Sequence, residues 1–182
     1  MTELATDRAK IRPLTLADVG ELLELRLRNR DFFTRFEPRR ADHNDGYTTG
    51  SLAAQTENAR VDAETGRAYA FGIFTLEDVL VGRVALSNVV RGAWQNATLG
   101  YYVAEEHGGK GYATDGIRLT VHFAFLRAGL HRVEAAVMPR NKASIRVLEK
   151  AAFRHEGFAP HYLQINGVWE GHELFAITTE DL

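Results

Sequence analysis

Apolar residues change their spacing along this chain, and the changes mark out its elements. After about ten polar residues, "KIRPL" reads as a short strand. Thr15 then opens a helix. Thr15 and Asp18 stand at capping-box spacing, with Asp in place of the usual Glu, and leucines follow at helical intervals. Residues 31–46, "DFFTRFEPRRADHNDG", carry aromatics, Pro38 and mixed charge without a period, so an irregular segment is expected. A second helix is expected from about Tyr47 to Glu64, ending near Gly66. "AYAFGIFTL" and "VLVGRVALSNV" flank Glu77-Asp78 as a hairpin, and "NATLGYYV" follows as a third strand. Next comes a helix with Ala113, Ile117, Val121, Ala124 and Ala128 on one side, stopped by Gly129. "HRVEAAVM" alternates Val133, Ala135 and Val137 as a strand until Pro139, and Asn141 to Lys150 forms a short helix. "HYLQI" and "VWEGHELFAI" are joined by Asn166-Gly167, a strong hairpin signal.

The order β-α-α-β-β-β-α-β-α-β-β is not a regular βαβ repeat. It predicts an α+β fold, a mixed sheet with helices on its faces. Residues 1–9 are expected to be a flexible N-terminus and residues 10–182 a single domain. At 182 residues and 45% hydrophobic, the chain can bury one sizeable core. Its net charge of −2 gives no global basic excess for nucleic acid or an anionic membrane. Cysteine is absent, which removes disulfides, thiolate metal sites and a cysteine nucleophile. The polar N-terminus and the lack of any run of about 20 apolar residues predict a soluble cytoplasmic protein. The seven histidines form no His-x-x-x-His pair, so no metal is expected. Six arginines interleave with aromatics in "RLRNRDFFTRFEPRR". Asp31 and Glu37 interrupt them, and a solvated helix face followed by a substrate loop explains the run without nucleic acid.

The stretch "LGYYVAEEHGGKGYATDG" sets Gly108, Gly109 and Gly111 between a strand and a helix. A Walker loop is excluded, because Gly111 follows Lys110 and position 104 is Ala. A dinucleotide fingerprint would need a small residue where Thr114 stands. Two readings remain. Backbone N–H groups from Gly108 to Ala113 converge on a pyrophosphate at the helix start, or the glycines serve only a tight turn.

In this stretch the chain resembles the GNAT superfamily of acyl-CoA N-acyltransferases, whose pyrophosphate loop reads Gln/Arg-x-x-Gly-x-Gly/Ala. "EHGGKGYA" keeps Gly109 and Gly111 and has Glu106 at the Gln/Arg position. It is similar to the RimJ/RimL branch, which acetylates the N-terminal amines of ribosomal proteins. "RLRNRDFFTRFEP", "HRVEAAVMPRNKASIRVLEKAAF" and "YLQINGVWEGHELFAIT" resemble further segments of that branch, so the likeness covers about residues 10–182. It implies the GNAT fold: a mostly antiparallel mixed sheet of about seven strands with a central splay, and about four helices.

The resemblance implies acetyl-CoA as co-substrate, no metal, and direct attack of an amine on the thioester. It assigns coenzyme contacts to Tyr101, Tyr102, Val103, His107, Gly108, Gly109, Lys110, Gly111, Tyr112, Ala113 and Asn141. Gly100 is read as the bulge at the splay. By strand parity Tyr102 lies on the opposite face from Leu99 and Val103. Asn141 is also a natural N-cap. Ser144 is the candidate proton donor to the departing thiolate, or an ordinary first-turn serine. Arg146 and Lys150 are solvated helix charges within reach of phosphates.

In the related RimI type, a Tyr seven residues after the motif asparagine is the acid and a Glu five residues before it is the base. Here those positions are Leu148 and Ala136. Glu37 is the candidate carboxylate base, with Glu105 beside it, and either can equally be a surface charge. With Asp42, Asp45 and Glu106 they would form an acidic rim for a cationic acceptor. The branch often has Asp where Gly171 stands, a departure near the acceptor. The expected acceptor is a protein N-terminal α-amine, which is partly neutral at pH 7 and needs little base. A small amine such as an aminoglycoside or polyamine, and a non-catalytic acyl-CoA-binding module, are the alternatives. Monomer and homodimer both stay open.

Overall fold

Alternating apolar positions build one sheet with a core on each face. The structure is a computed structural model that describes residues 3–38 and 46–181. Its strands are β1 (Leu4–Ala5), β2 (Ala9–Arg12), β3 (Tyr69–Thr75), β4 (Leu80–Val90), β5 (Asn96–Val103), β6 (Arg132–Val137), β7 (Arg154–Ile165) and β8 (Val168–Thr178). Its α-helices are α1 (Val19–Arg28), α2 (Arg30–Phe33), α3 (Thr49–Glu64), α4 (Tyr112–Leu126) and α5 (Lys142–Lys150). The sheet order is β1-β2-β3-β4-β5-β6-β8-β7. Every neighbouring pair is antiparallel except β5 with β6.

The core between sheet and α4 holds Phe71, Ile73, Val84, Leu99, Ile117, Val133 and Phe175, with Leu148 of α5 fully buried in it. A second core holds Val19, Leu22 and Leu25 of α1, Phe33 of α2 and Leu52 of α3 against Phe74 and Leu80. Leucines at helical spacing give α1 this apolar stripe. Its entry is a short 3-10 turn, Leu16–Asp18, capped by the reciprocal Thr15–Asp18 box. Asp18 also takes a bidentate pair of hydrogen bonds from Arg12, at 2.9 and 2.7 Å.

Several expectations shift. Within the stretch through residue 9, Leu4–Ala5 pairs with β2, and the Thr6 hydroxyl donates to Asp115 of α4 at 3.2 Å. This adds an eighth strand to the expected seven. α2 is a fifth helix inside the stretch expected to be irregular. Strand β7 begins at Arg154, well before "HYLQI". Gly100 is not a bulge, because it pairs in register with Ala85. The irregularity in β4–β5 lies between Ser87 and Val90, where Asn88 adopts φ +50°.

One feature of the sheet positions everything that follows. β5 and β6 pair only at Asn96–Thr98 with Arg132–Glu134. Beyond these, β5 stays on β4 through Val103 and β6 stays on β8 through Val137, so the two strands part inside the sheet.

Candidate active site

A cleft of about 1800 Å³ opens along this splay. The rule that neighbours on a strand point to opposite faces divides it. Leu99, Tyr101 and Val103 pack on the α4 side, and Tyr102 packs on the α1 side. The parity reading of Tyr102 therefore holds: its ring lies on the face away from α4.

On the α4 side, Gly111 is the helix N-cap with φ +93°, and Gly109 has φ +72°. The first N–H bonded into the helix is that of Asp115, which donates to the Gly111 carbonyl. The main-chain N–H groups of Gly109, Lys110, Gly111, Tyr112, Ala113 and Thr114 make no hydrogen bond among the described residues. That of Gly108 does: it donates to the Glu105 carbonyl at 3.0 Å, so Gly108 shapes the loop and is not one of its free donors. Six free donors at the positive end of a fifteen-residue helix make an anion cradle. A Cβ at Gly111 would lie 2.0 Å from Arg8 Nη1, so it fits only if that side chain swings aside. Arg8 in turn stands 3.7 Å from the Asp115 carboxylate. His107 packs edge-on to Tyr112, with centroids 5.7 Å apart, and its Nδ1 is buried without a hydrogen bond.

Across the splay, Asn141 caps α5 by accepting from the Ser144 N–H at 3.1 Å, so its side-chain oxygen is committed. The Ser144 hydroxyl lies 2.6 Å from the Tyr101 hydroxyl. Burial pushes the Tyr101 pKa up to about 12, and the bond to Ser144 opposes that rise. Tyr101 thus keeps its proton at neutral pH. Sequence reasoning assigned Tyr101 to coenzyme contact and missed that it buttresses Ser144.

The α1 side has different chemistry. Arg26, expected on a solvated face, is 6% exposed. It donates to both Glu37 oxygens, at 3.2 and 2.8 Å, and to the Gly46 carbonyl at 2.9 Å. It also lies over the rings of Tyr47, at 4.5 Å, and Tyr102, at 5.1 Å. Burial works against the Arg26 charge, but the Glu37 and Tyr102 contacts outweigh it and hold the pKa above its usual value. Glu37 lines the cleft, with its carboxylate clamped by Arg26 rather than free. Of the other rim residues, Glu106 lies 3.7 Å from Arg28 and Glu105 is exposed, whereas Asp42 and Asp45 fall outside the described residues. The β7–β8 hairpin closes over this half through Asn166, whose amide donates to the Thr34 carbonyl at 3.0 Å. The Gly171 departure has a packing cause: a Cβ there would lie 2.2 Å from the Phe158 ring. Leu148 is core and Ala136 lines the cleft, so neither RimI-type proton group has a counterpart at its own position.

Among the described residues no cluster of His, Asp and Glu is arranged to hold a metal ion, and no helix is long and apolar enough to cross a membrane.

Comparison with known proteins matches this geometry. Residues 8–154 match the acetyltransferase (GNAT) domain family. The probable N-acetyltransferase YjcK of Bacillus subtilis is 46% identical over 172 residues, covering 94% of each chain. The ribosomal protein uS5-alanine N-acetyltransferase of Escherichia coli is 33% identical over 179 residues, 98% of this chain and 91% of that one. The structure of Mycobacterium smegmatis RimJ in complex with CoA-disulfide superposes with a TM-score of 0.90 at 32% identity, covering 96% of this chain and 83% of that one. With this likeness along nearly its whole length, the chain belongs to the GNAT acetyltransferase family and is an N-acetyltransferase that takes its acetyl group from acetyl-CoA.

Proposed function

We propose that the acceptor is the N-terminal α-amine of a ribosomal or other protein. The observation that carries this reading is the 33% identity, over 98% of the chain, to an enzyme named for uS5 alanine. The shape of the cleft supports it, with a coenzyme half on the α4 side and an aromatic and carboxylate-lined half on the α1 side.

Acetyl-CoA supplies an activated thioester. The residues fit it: six unpaired amides and two positive-φ glycines suit its pyrophosphate, and the parted strands leave backbone groups for its pantetheine amides. In this reading Gly109 to Thr114 hold the diphosphate. The facing edges of β5 and β6 align the arm, and the Asn141 amide is available beside it. Ser144 donates its proton to the leaving sulfur and is resupplied by Tyr101 at 2.6 Å. Much of the rate comes from holding amine and thioester together. A thiol of pKa about 8.5 leaves readily, so one positioned acid suffices. Arg26 and Glu37 fix the wall along which the acceptor enters.

The test is direct. The protein is incubated with acetyl-CoA and peptides beginning Ala or Ser, with lysine-only peptides, and with polyamines and aminoglycosides, and products are read by mass spectrometry. An acetyl mass on the α-amine of the Ala or Ser peptides is expected. Turnover confined to the small amines would overturn the acceptor assignment.

A further inference from the structure

His172 is the one buried histidine in the described structure, and none of the roles above uses it. It lies on β8, 3% exposed, and its ring lines the cleft. Its Nδ1 is 3.0 Å from the Glu170 carbonyl oxygen. A carbonyl only accepts, so a proton sits on Nδ1, and the ring in its neutral form carries its lone pair on Nε2. Nε2 makes no hydrogen bond among the described residues.

Register places this lone pair relative to the splay. Ala136 of β6 pairs with Leu174 of β8, and paired residues project to the same face. His172, two residues before Leu174, therefore shares that face with Ala136, and both line the cleft. Tyr101 and Ser144 lie on the opposite face, with α4 and α5. An acid below the parted strands thus stands against a base above them.

We propose that His172 is the general base of the transfer, accepting the amine proton at Nε2 from the α1 side of the sheet. This rests on the reading that puts the thioester in the splay. The protons and electrons balance. The amine nitrogen forms its bond to the acetyl carbon, and the carbon–sulfur bond breaks with its electron pair on sulfur. Nitrogen gives one proton to His172, and sulfur takes one from Ser144. Solvent then discharges the imidazolium and restores the hydroxyl pair. Glu37 is the poorer base, since both of its oxygens already accept from Arg26. The groups around His172 leave it free to act. The Tyr162 ring of β7 packs at a tilt against it, with centroids 5.4 Å apart. The Glu170 carboxylate is taken by Arg140 at 2.9 Å, and that of Glu173 by His155 at 2.6 Å on the other face. Glu134 of β6 lies near Tyr162, whose pKa burial and that charge both raise.

The informative variant is His172→Asn. Its amide N–H can still donate to the Glu170 carbonyl while no ring nitrogen remains at the Nε2 position. Turnover of any amine the parent acetylates should fall about 100-fold at pH 7, and the deficit should shrink at high pH, where hydroxide can take the amine proton instead. Acetyl-CoA affinity and melting temperature should match the parent. Parental turnover with the parental pH profile would overturn the assignment, as would a loss that is uniform in pH and tracks a fall in melting temperature. A loss of acetyl-CoA affinity would instead strike at the location of the thioester. Should the variant not fold, ¹⁵N NMR of the parent decides: an Nδ1–H neutral tautomer for His172 supports the base, and an Nε2–H tautomer refutes it.

Discussion

Replacing Gly111 by alanine tests the coenzyme cradle where backbone and ligand demands coincide. The residue adopts φ +93° and ψ −10°, a conformation that costs an L-residue about 1–2 kcal/mol. The new Cβ would lie 2.0 Å from Arg8 Nη1 and 3.1 Å from Cζ. The guanidinium is the end of a flexible, half-exposed side chain and can swing away. Doing so abandons its 3.7 Å approach to the buried Asp115 carboxylate, worth about 1 kcal/mol because the Arg8 end is half-exposed and Asp115 keeps its bond from Thr6. Gly111→Ala should therefore lower unfolding stability by about 1–3 kcal/mol. Tilting one charge-assisted amide bond out of line forfeits about 1.5–3 kcal/mol, or about ten- to a hundredfold in acetyl-CoA affinity. Urea denaturation reads the first quantity and titration calorimetry the second. Gly129→Ala is the control: φ there is +63° and nothing lies within 4 Å of the added Cβ, so it should lose stability with affinity unchanged. Arg8→Ala should cost no further stability in the Gly111→Ala background, because the approach to Asp115 is already lost there. Parental acetyl-CoA affinity in a folded Gly111→Ala protein would refute the assignment of the diphosphate to this loop.

Tyr101→Phe removes the partner of Ser144 and should cut turnover about tenfold while changing acetyl-CoA affinity less than threefold; equal loss of both would show a packing role only. In the parent, the phenol of Tyr101 should ionise near pH 12 by ultraviolet difference titration. Its unfolded counterpart ionises near 10, so its contribution of up to about 3 kcal/mol is complete below pH 10 and lost as pH rises through 12. Asp18 behaves oppositely, because the Arg12 hydrogen bonds, helped by Thr15, hold its pKa down at about 2. The stability gap between parent and Asp18→Asn, about 2 kcal/mol, should be whole above the unfolded pKa near 4 and vanish as pH falls through 2. A gap independent of pH would reject that assignment.

Patterns that depend only on near neighbours were legible in the sequence. The third strand runs from Asn96 to Val103 as its alternation indicates, and Asn166-Gly167 makes its turn with φ +51° and +85°. β1 and α2 escaped because two and four residues are too few to display a period. Arg26 escaped for another reason. It sits among arginines that share its local pattern, and only the return of Glu37 and Gly46 onto its side chain distinguishes it. His172 escaped likewise, since its burial and fixed tautomer depend on the course of β7 and β8. The free amides were half legible: glycine spacing marked the loop, but the Gly108 donor turned back to Glu105 through a 3-10 turn that no spacing announced.

The parting of β5 from β6 has a thermodynamic consequence. Past Thr98 each strand shows the other an open seam of main-chain groups at the centre of the sheet rather than at its margin. A ligand that bridges this seam completes the fold as well as entering the reaction. At a hundred times its dissociation constant such a ligand adds about 2.7 kcal/mol to stability, a hundredfold smaller unfolded population. With acetyl-CoA seated across the seam as proposed, proteolysis of this enzyme should slow as its acetyl donor becomes abundant.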